Sequence, residues 1–441
     1  MVAGTGTFML NDSTDAPARR DSRSNLETRL WVSAGSASIG DGLRLAALPL
    51  AIAAITHDPL HVAGLTIAQR VPPLVLALPA GVILDRVDPL RVLVACQRIR
   101  VVLILLLAGA VTIQGLLPTG PALTAVYALA ALLAATEVFG DVAAQVVVQL
   151  MIADERLEYT NSRIVAGQML GEEFLGPPAG GLLFSLGRWP AFAGVGLAYG
   201  VSALLLGGGS RHPLTERTPP TPAAPRSDPP DWREALAGIP RQARQGLAVV
   251  VSNRDLLVQA VWTSVMNAGN GLVGAVFVLF VLESLHLGGT AYGALLTAGG
   301  IGGMVGAAVA GVVARRIPRP VLMVTTSLLA SLCTLALGST RSLVVVFALQ
   351  GVAALCGVLF SVVARSYRQS ITPAEFAGRT TSVYRLLSLG AVPLGALAGG
   401  VLATVESPGL AIVVAGALML AATVGAAAFL RQGRPSRRSH A

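Results

Sequence analysis

Twelve long apolar runs divide the chain, and no other feature constrains its fold so tightly. They lie near residues 30–55, 60–84, 90–113, 121–150, 163–186, 190–209, 256–282, 290–314, 320–338, 342–364, 380–404 and 409–430. Each is close to the roughly 20 residues that a helix needs to cross bilayer hydrocarbon. Helices are expected because backbone groups in lipid must be satisfied within their own segment. The alternating pattern of a membrane barrel is absent. Composition agrees: the chain is 54% hydrophobic and 12% charged, about half the charge of a typical soluble domain. A soluble enzyme is thereby excluded. Collagen-like, disulfide-stapled and disordered classes fail too, since Gly has no fixed period, there are three Cys and charge is sparse. The expected fold class is an all-α membrane protein with twelve transmembrane helices.

All 32 basic residues are Arg. With the N-terminus placed in the cytoplasm, 25 of them fall on inner segments, and only Arg188 and Arg341 fall on outer loops. Arg44, Arg70, Arg98, Arg100 and Arg385 lie within apolar runs. Inner loops carry the Arg excess in membrane proteins, so both termini are expected in the cytoplasm, at the plasma or inner membrane. A missed span would scramble this alternation. The net charge of +9 does not point to nucleic acid, because it forms no single stripe. Residues 1–29 are polar, with no apolar segment before them, so no cleaved signal peptide is expected. Cys96, Cys333 and Cys356 sit inside apolar runs without metal-site spacing and read as small core residues.

The map divides into a cytoplasmic tail (1–29), a first six-helix bundle (30–209), a linker (210–255), a second six-helix bundle (256–430) and a basic tail (431–441). The linker opens with TERTPPTPAAPRSDPPDW, whose prolines favour an extended form. WREALAGIPRQARQGLAVVV follows and reads as a basic amphipathic helix broken at Pro240. The halves repeat. At a shift of 219 residues GPPAGGLL (176–183) lies over GALAGGVL (395–402), and Ile152 falls on Ile371. At a shift of 230, GVILDR (81–86) resembles GVVARR (311–316). Paired six-helix halves are a transporter architecture, with the site expected at midplane between them. The two bundles are expected to be pseudo-symmetric.

Ionisable residues inside the spans are the candidate site. Asp41, Arg44, Arg70, Glu137, Asp141, Glu172 and Glu173 would each cost roughly 3 kcal/mol facing lipid at a helix centre. They should face the interior or a wet cavity. Glu137, Asp141, Gln145 and Gln149 recur every four residues, giving helix 4 a polar stripe. Asp41 and Arg44 share a face three residues apart, which suits either a structural ion pair or a proton site. Asn267 and Asn270 mark one face of helix 7, and Gln350 marks one of helix 10. Glu172 and Glu173 point about 100° apart, so one should face the cavity while the other packs, with Arg70 or Arg100 as its partner. Asp41, Glu137 and Asp141 are the first candidates to carry a proton.

The motifs resemble the major facilitator superfamily. GVILDRVDPLR (81–91) is similar to its loop signature G-x-x-x-D-R-x-G-R-[RK] at Gly81, Asp85, Arg86 and Arg91, and departs from it at Asp88 and Pro89. Gly176, Pro177, Gly180 and Gly181 match the G-P-x-x-G-G core of the signature associated with antiporters. With GAVPLGALAGG (390–400) and RQSITPAEFAGR (368–379), the chain resembles the drug:proton antiporter branch that includes macrolide and siderophore exporters. The resemblance implies that helices 1, 4, 7 and 10 line a central cavity. It also implies that Asp85 and its loop latch the halves on the cytoplasmic side. On the residues alone, Gly81 permits close helix approach, and the Gly and Pro residues of helix 5 make it thin and bent.

The expected function is secondary export of a small amphipathic organic compound by proton antiport, with alternating access. The expected partners are that substrate, the proton and the lipid bilayer, with no cofactor, no metal and no nucleic acid, and with the chain a monomer. No Walker motif suggests an ATP-driven pump. An importer or uniporter of the same fold is the first rival reading. A membrane sensor or scaffold without transport is the second, disfavoured because a scaffold gains nothing from acids inside the membrane.

Overall fold

The computed structural model describes residues 16–84, 87–112, 118–152, 154–207, 244–372 and 377–432. Asp85, Arg86, the Pro-rich linker over 210–243 and the tail 433–441 lie outside the described residues. Twelve long helical segments follow one another: α1 (Ala16–Ile55), α2 (Pro59–Leu84), α3 (Pro89–Thr112), α4 (Thr119–Met151), α5, α6 (Arg188–Gly207), α7, α8 (Gly289–Arg316), α9 (Arg319–Ser339), α10 (Leu343–Ile371), α11 (Ala377–Val405) and α12 (Pro408–Gln432). Helix α5 runs as Asp154–Met169, a π-helical stretch Leu170–Leu175, and Gly176–Leu186. Helix α7 runs as Arg254–Leu279 and ends in a π turn, Phe280–Ser284. A short helix over 244–252 precedes it. Ten of the long segments are long and apolar enough to cross a membrane by length and composition; α2 and α5 are not among those ten. Helix α1 begins well before its apolar run, so part of the stretch expected as a tail is helical.

Local chemistry sets the boundaries. Asp58 Oδ1 accepts from the Leu60 N–H ahead of α2, and Asn253 Oδ1 accepts from the Asp255 and Leu256 N–H groups ahead of α7. Asp88 and Pro89 depart from the family loop pattern for the same local reason: they start α3. Asp88 Oδ1 accepts from the Leu90 N–H at 3.0 Å, while Oδ2 pairs with Arg91 Nε at 3.2 Å. Pro89 is tolerated because a first-turn N–H has no intrahelical partner to lose.

The pairing of helices repeats from one half to the other. In the first half α1 packs on α5 and α6, α4 on α2 and α3, and α3 on α6. In the second, α7 packs on α11 and α12, α10 on α8 and α9, and α9 on α12. Two pairings, α2 with α11 and α5 with α8, carry most of the contact between the bundles.

The apolar core is shared at one end only. Among the described residues the twelve long helices alternate in direction, so the start of α1 and the end of α12 lie at one face of the bundle, the terminal end. At the opposite, distal end a single cluster joins Leu48, Ile104 and Phe192 of the first bundle to Leu279, Leu295 and Ile412 of the second. Toward the terminal end the core separates by bundle, around Leu93, Val147 and Leu206 in the first, and in the second around Trp262, Phe360 and Met323 with a smaller group of Val250, Ala260, Val383 and Tyr384. The polar contacts His57–Glu283 (3.2 Å), Asp58–Thr404 (3.3 Å) and Ser185–Thr290 (3.0 Å) cross between halves at the distal end. Cys96, Cys333 and Cys356 are buried and unpaired.

The Gly-Pro segment of α5 has a direct mechanical effect. Pro177 and Pro178 lack the N–H groups that would bond four residues back. The ladder shifts: Gly176 N–H bonds to Gly171 C=O, five residues earlier. The expected local bend is thus a π widening that ends where the prolines begin.

Candidate functional site

A cavity of about 460 Å³ opens within the terminal-end half of the first bundle, between α1, α3, α4, α5 and α6. Asp41, Glu137, Asp141, Gln145 and Glu172 line it, with Gln97 and Arg100 of α3. The sequence pattern expected a central site shared by both halves. The structure gathers the candidates of α1, α4 and α5, but those of the second half lie elsewhere. Asn267 donates its Nδ2 to the Ser388 carbonyl of α11 at 2.9 Å. Gln350 lies against Gly299 of α8, and Asn270 is exposed.

Arg44 is the centre of the charge network. Its Nη2 donates to Glu137 Oε2 at 2.7 Å and to Asp41 Oδ1 at 3.3 Å. The i, i+3 spacing on α1 brings Asp41 and Arg44 together as expected, but the shorter bond crosses to α4. Helices α1 and α4 touch little otherwise, so this bridge ties them across the cavity. Asp41 Oδ1 also accepts from the Tyr199 hydroxyl of α6 at 2.6 Å. Its Oδ2 lies 3.8 Å from Arg100 Nη1, and that guanidinium sits over the Tyr199 ring at 5.5 Å. Arg100 and Tyr199 are 4% and 1% exposed. Two buried guanidiniums are thus held by carboxylates and an aromatic face, as burial of charge requires.

This arrangement corrects one expectation. Arg100 pairs with Asp41, and neither Glu172 nor Glu173 makes an ion pair with Arg70 or Arg100 among the described residues. The two glutamates do separate by roles: Glu172 lines the cavity, while the Glu173 carbonyl and Cβ lie against Gly300 of α8. Tyr199 and the amide Gln97 were not legible as site residues. A tyrosine in an apolar run gives no periodic signal, and its partner Asp41 is 158 residues away in sequence.

The gate residues divide similarly. Asp85 and Arg86 lie outside the described residues. An added Cβ at Gly81 meets nothing within 4 Å among the described residues, so no close helix approach occurs there. Arg91 pairs with Asp88 in the first turn of α3. On α5, however, Gly176 presses on Gly42 of α1, Gly180 on the Leu43 carbonyl of α1, and Gly181 on the Gly289 carbonyl of α8. Pro177 presents its carbonyl to Gly293 of α8.

The halves differ in chemistry where they agree in packing. Gly176 meets Gly42, and its counterpart Gly395 meets Ala268, which fixes the register between α1 and α7. In that register Asp41 and Arg44 fall on Asn267 and Asn270. The ionic pair of one bundle is a neutral amide pair in the other. Four carboxylates, Asp41, Glu137, Asp141 and Glu172, face two guanidiniums, Arg44 and Arg100. The site therefore has a formal excess of two acids.

Comparison with known proteins agrees with this architecture. The family model of the Major Facilitator Superfamily matches residues 30–267 and 260–441. A crystal structure of a bacterial homologue of the iron transporter ferroportin, in an inward-facing state, superposes with a TM-score of 0.71, at 16% identity over 93% of this chain and 99% of that one. The nucleoside transporter NupG superposes with a TM-score of 0.70, at 11% identity over 92% of this chain and 99% of that one. A bacterial metal transporter gives 0.62, at 17% identity over 93% and 99%. No curated protein sequence matches the chain.

Proposed function

Since the chain belongs to the major facilitator superfamily, and is a secondary transporter by family and fold, we propose that it exports a small amphipathic organic compound by proton antiport. The observation that carries this reading is the acid excess of the cavity. A fixed scaffold needs its charges balanced, whereas exchange of a proton for a cationic or polar compound needs carboxylates left over. Apolar lining from Leu30, Leu93 and Val165 supplies the complementary greasy surface. About 460 Å³ lies within the range of roughly 300–1,000 Å³ typical for drug-sized ligands.

Direction rests on orientation. The cavity lies at the end of the bundle where the Arg-rich segments cluster, so by the positive-inside rule it faces the cytoplasm. The distal end, with its shared core, is then the closed outer gate. An exporter loads cytoplasmic substrate in this posture. The latch expected of Asp85 and its loop belongs to the opposite, outward-facing posture.

Likeness in fold to a ferroportin homologue and a metal transporter raises a divalent cation as a second cargo class. Among the described residues no three His, Cys, Asp or Glu side chains gather as metal ligands, and organic cargo is the better fit. The test uses proteoliposomes containing the full chain, an imposed pH gradient, and ethidium or Mn²⁺ as probe. Uphill ethidium movement that collapses with a protonophore is expected. Ethidium flux indifferent to the gradient, or gradient-driven movement of Mn²⁺ alone, would sink the proposal.

A further inference from the structure

Resting on that reading, we infer that Glu172 is the carboxylate that exchanges the proton, and that the π-helical stretch carrying it passes its change of charge to α8 of the opposite bundle. A carrier must gain and lose a proton in every cycle. It therefore needs water, free oxygens and a mechanical connection to the moving interface.

Asp41 lacks the second. Its oxygens already serve the Tyr199 hydroxyl, Arg44 and Arg100, and an added proton would displace those donors. Glu137 holds Arg44 at 2.7 Å and so keeps α1 tied to α4. Asp141 lines the cavity and makes no hydrogen bond or ion pair among the described residues, but α4 packs on α2 and α3 of its own bundle. Glu172 meets all three needs. It lines the cavity, and it makes no hydrogen bond or ion pair among the described residues. The charged groups around it are Asp41 and Arg44 on α1, Glu137 on α4 and Glu173 beside it. Farther along the same cavity lie Asp141 on α4 and Arg100 on α3, with Cys96 beside Asp141 and Tyr199 on α6 beside Arg100.

The connection is the next residue in the chain. Gly300 of α8 lies so close to Glu173 that an added Cβ would come within 2.6 Å of the Glu173 carbonyl oxygen. On its other side the π stretch touches α1: a Cβ on Gly42 would come within 2.6 Å of the Gly171 carbonyl and 2.7 Å of the Glu172 carbonyl. One widened turn therefore holds a cavity-facing acid, a contact to its own bundle and a contact to the other. In the cycle, a proton from outside water forms an O–H bond on the Glu172 carboxylate. That bond breaks toward the cytoplasm, where the substrate takes the vacated anionic site. A π widening tolerates this shift because its hydrogen bonds are already rearranged.

The test needs no substrate. Spin labels on cysteines placed at Leu186 and Val405, 72% and 73% exposed at the distal ends of α5 and α11, report opening of the outer gate in nanodiscs. Between pH 6 and pH 8 the wild-type ratio of the two distance populations should change by at least roughly threefold, a population shift that differential proton binding can drive. Glu172→Gln should abolish the change, while Gly35→Ala, where an added Cβ meets nothing within 4 Å, keeps it. Glu172→Asp should retain it with a displaced midpoint, and it serves alone if the glutamine variant does not fold. A wild-type-like response in Glu172→Gln, or an undisplaced midpoint in Glu172→Asp, overturns the assignment of Glu172. A wild-type response that is flat with pH overturns the antiport reading itself, and this assignment with it.

Discussion

Gly181 and Gly400 stand 219 residues apart and do the same thing: each lets its helix lie directly against a helix of the opposite bundle. Gly181 on α5 meets the Gly289 carbonyl on α8, and Gly400 on α11 meets Ala63 and Leu60 on α2. Their neighbours follow suit. Gly176 and Gly395 press on α1 and α7, as do Gly180 and Gly399. The internal repeat is thus a repeat of function, two helices that each join the rest of one bundle to the other.

Filling either position should therefore disturb the closed distal end. Gly181→Val and Gly400→Val each force overpacking, which costs about 1–3 kcal/mol. Both variants should unfold at lower temperature in detergent than the wild type. Gly35→Ala, where an added Cβ meets nothing within 4 Å, should unfold like the wild type. Equal stability in all three would mean that the seam yields without cost.

Removing Arg44 strands Glu137. Arg44→Gln leaves Glu137 without its donor, while Asp41 keeps Tyr199 and Arg100. Because Glu137 is partly exposed, the cost should fall below the roughly 3–5 kcal/mol of a fully buried pair. Folded yield should fall sharply. The double variant Arg44→Gln/Glu137→Gln should recover much of it, because pairs in contact are not additive. Size-exclusion profiles of the wild type, Arg44→Gln, Glu137→Gln and the double variant measure this cycle, and a double variant as poor as Arg44→Gln would remove the bridge from the account.

Topology has an independent check. Reporter fusions at Leu214 and Gly433 should both report the cytoplasm, as the Arg distribution requires. An outside signal at either position would overturn the twelve-span map and the cytoplasmic sidedness of the cavity.

The loop after α2 carries a prediction from sequence alone. Asp85→Asn removes charge without changing size. Insertion should be normal while transport falls severalfold, since the resemblance makes this loop a latch of the opposite gate. Wild-type efflux in vesicles would reduce the loop to a topological marker.

Much of this was legible because lipid simplifies the code. Apolar run length gave the helices, and the 219-residue shift found the helices that join the bundles; the Arg alternation bears on sidedness, which the reporter fusions test. The stripe on α4 and the Asp41–Arg44 spacing found the acids. What escaped was anything set by distance through space. Tyr199 enters the site from an apolar run with no periodic signal, Arg100 was visible in its run but its partner Asp41 was not, and the separation of Asn267 and Gln350 from the acids depends on how the bundles pack. A stripe says which way a residue faces, not how far away the facing helix stands.

The glycine seam has a consequence for speed. At Gly181 and Gly400 the two bundles meet through main chain and small groups, so few long side chains need to re-order there at each opening. The barrier should then come largely from rewetting the faces that part. Such a barrier depends on the area uncovered more than on any particular contact. Turnover in this transporter should then respond to membrane tension and lipid thickness more strongly than to most single substitutions along the seam that keep its residues small.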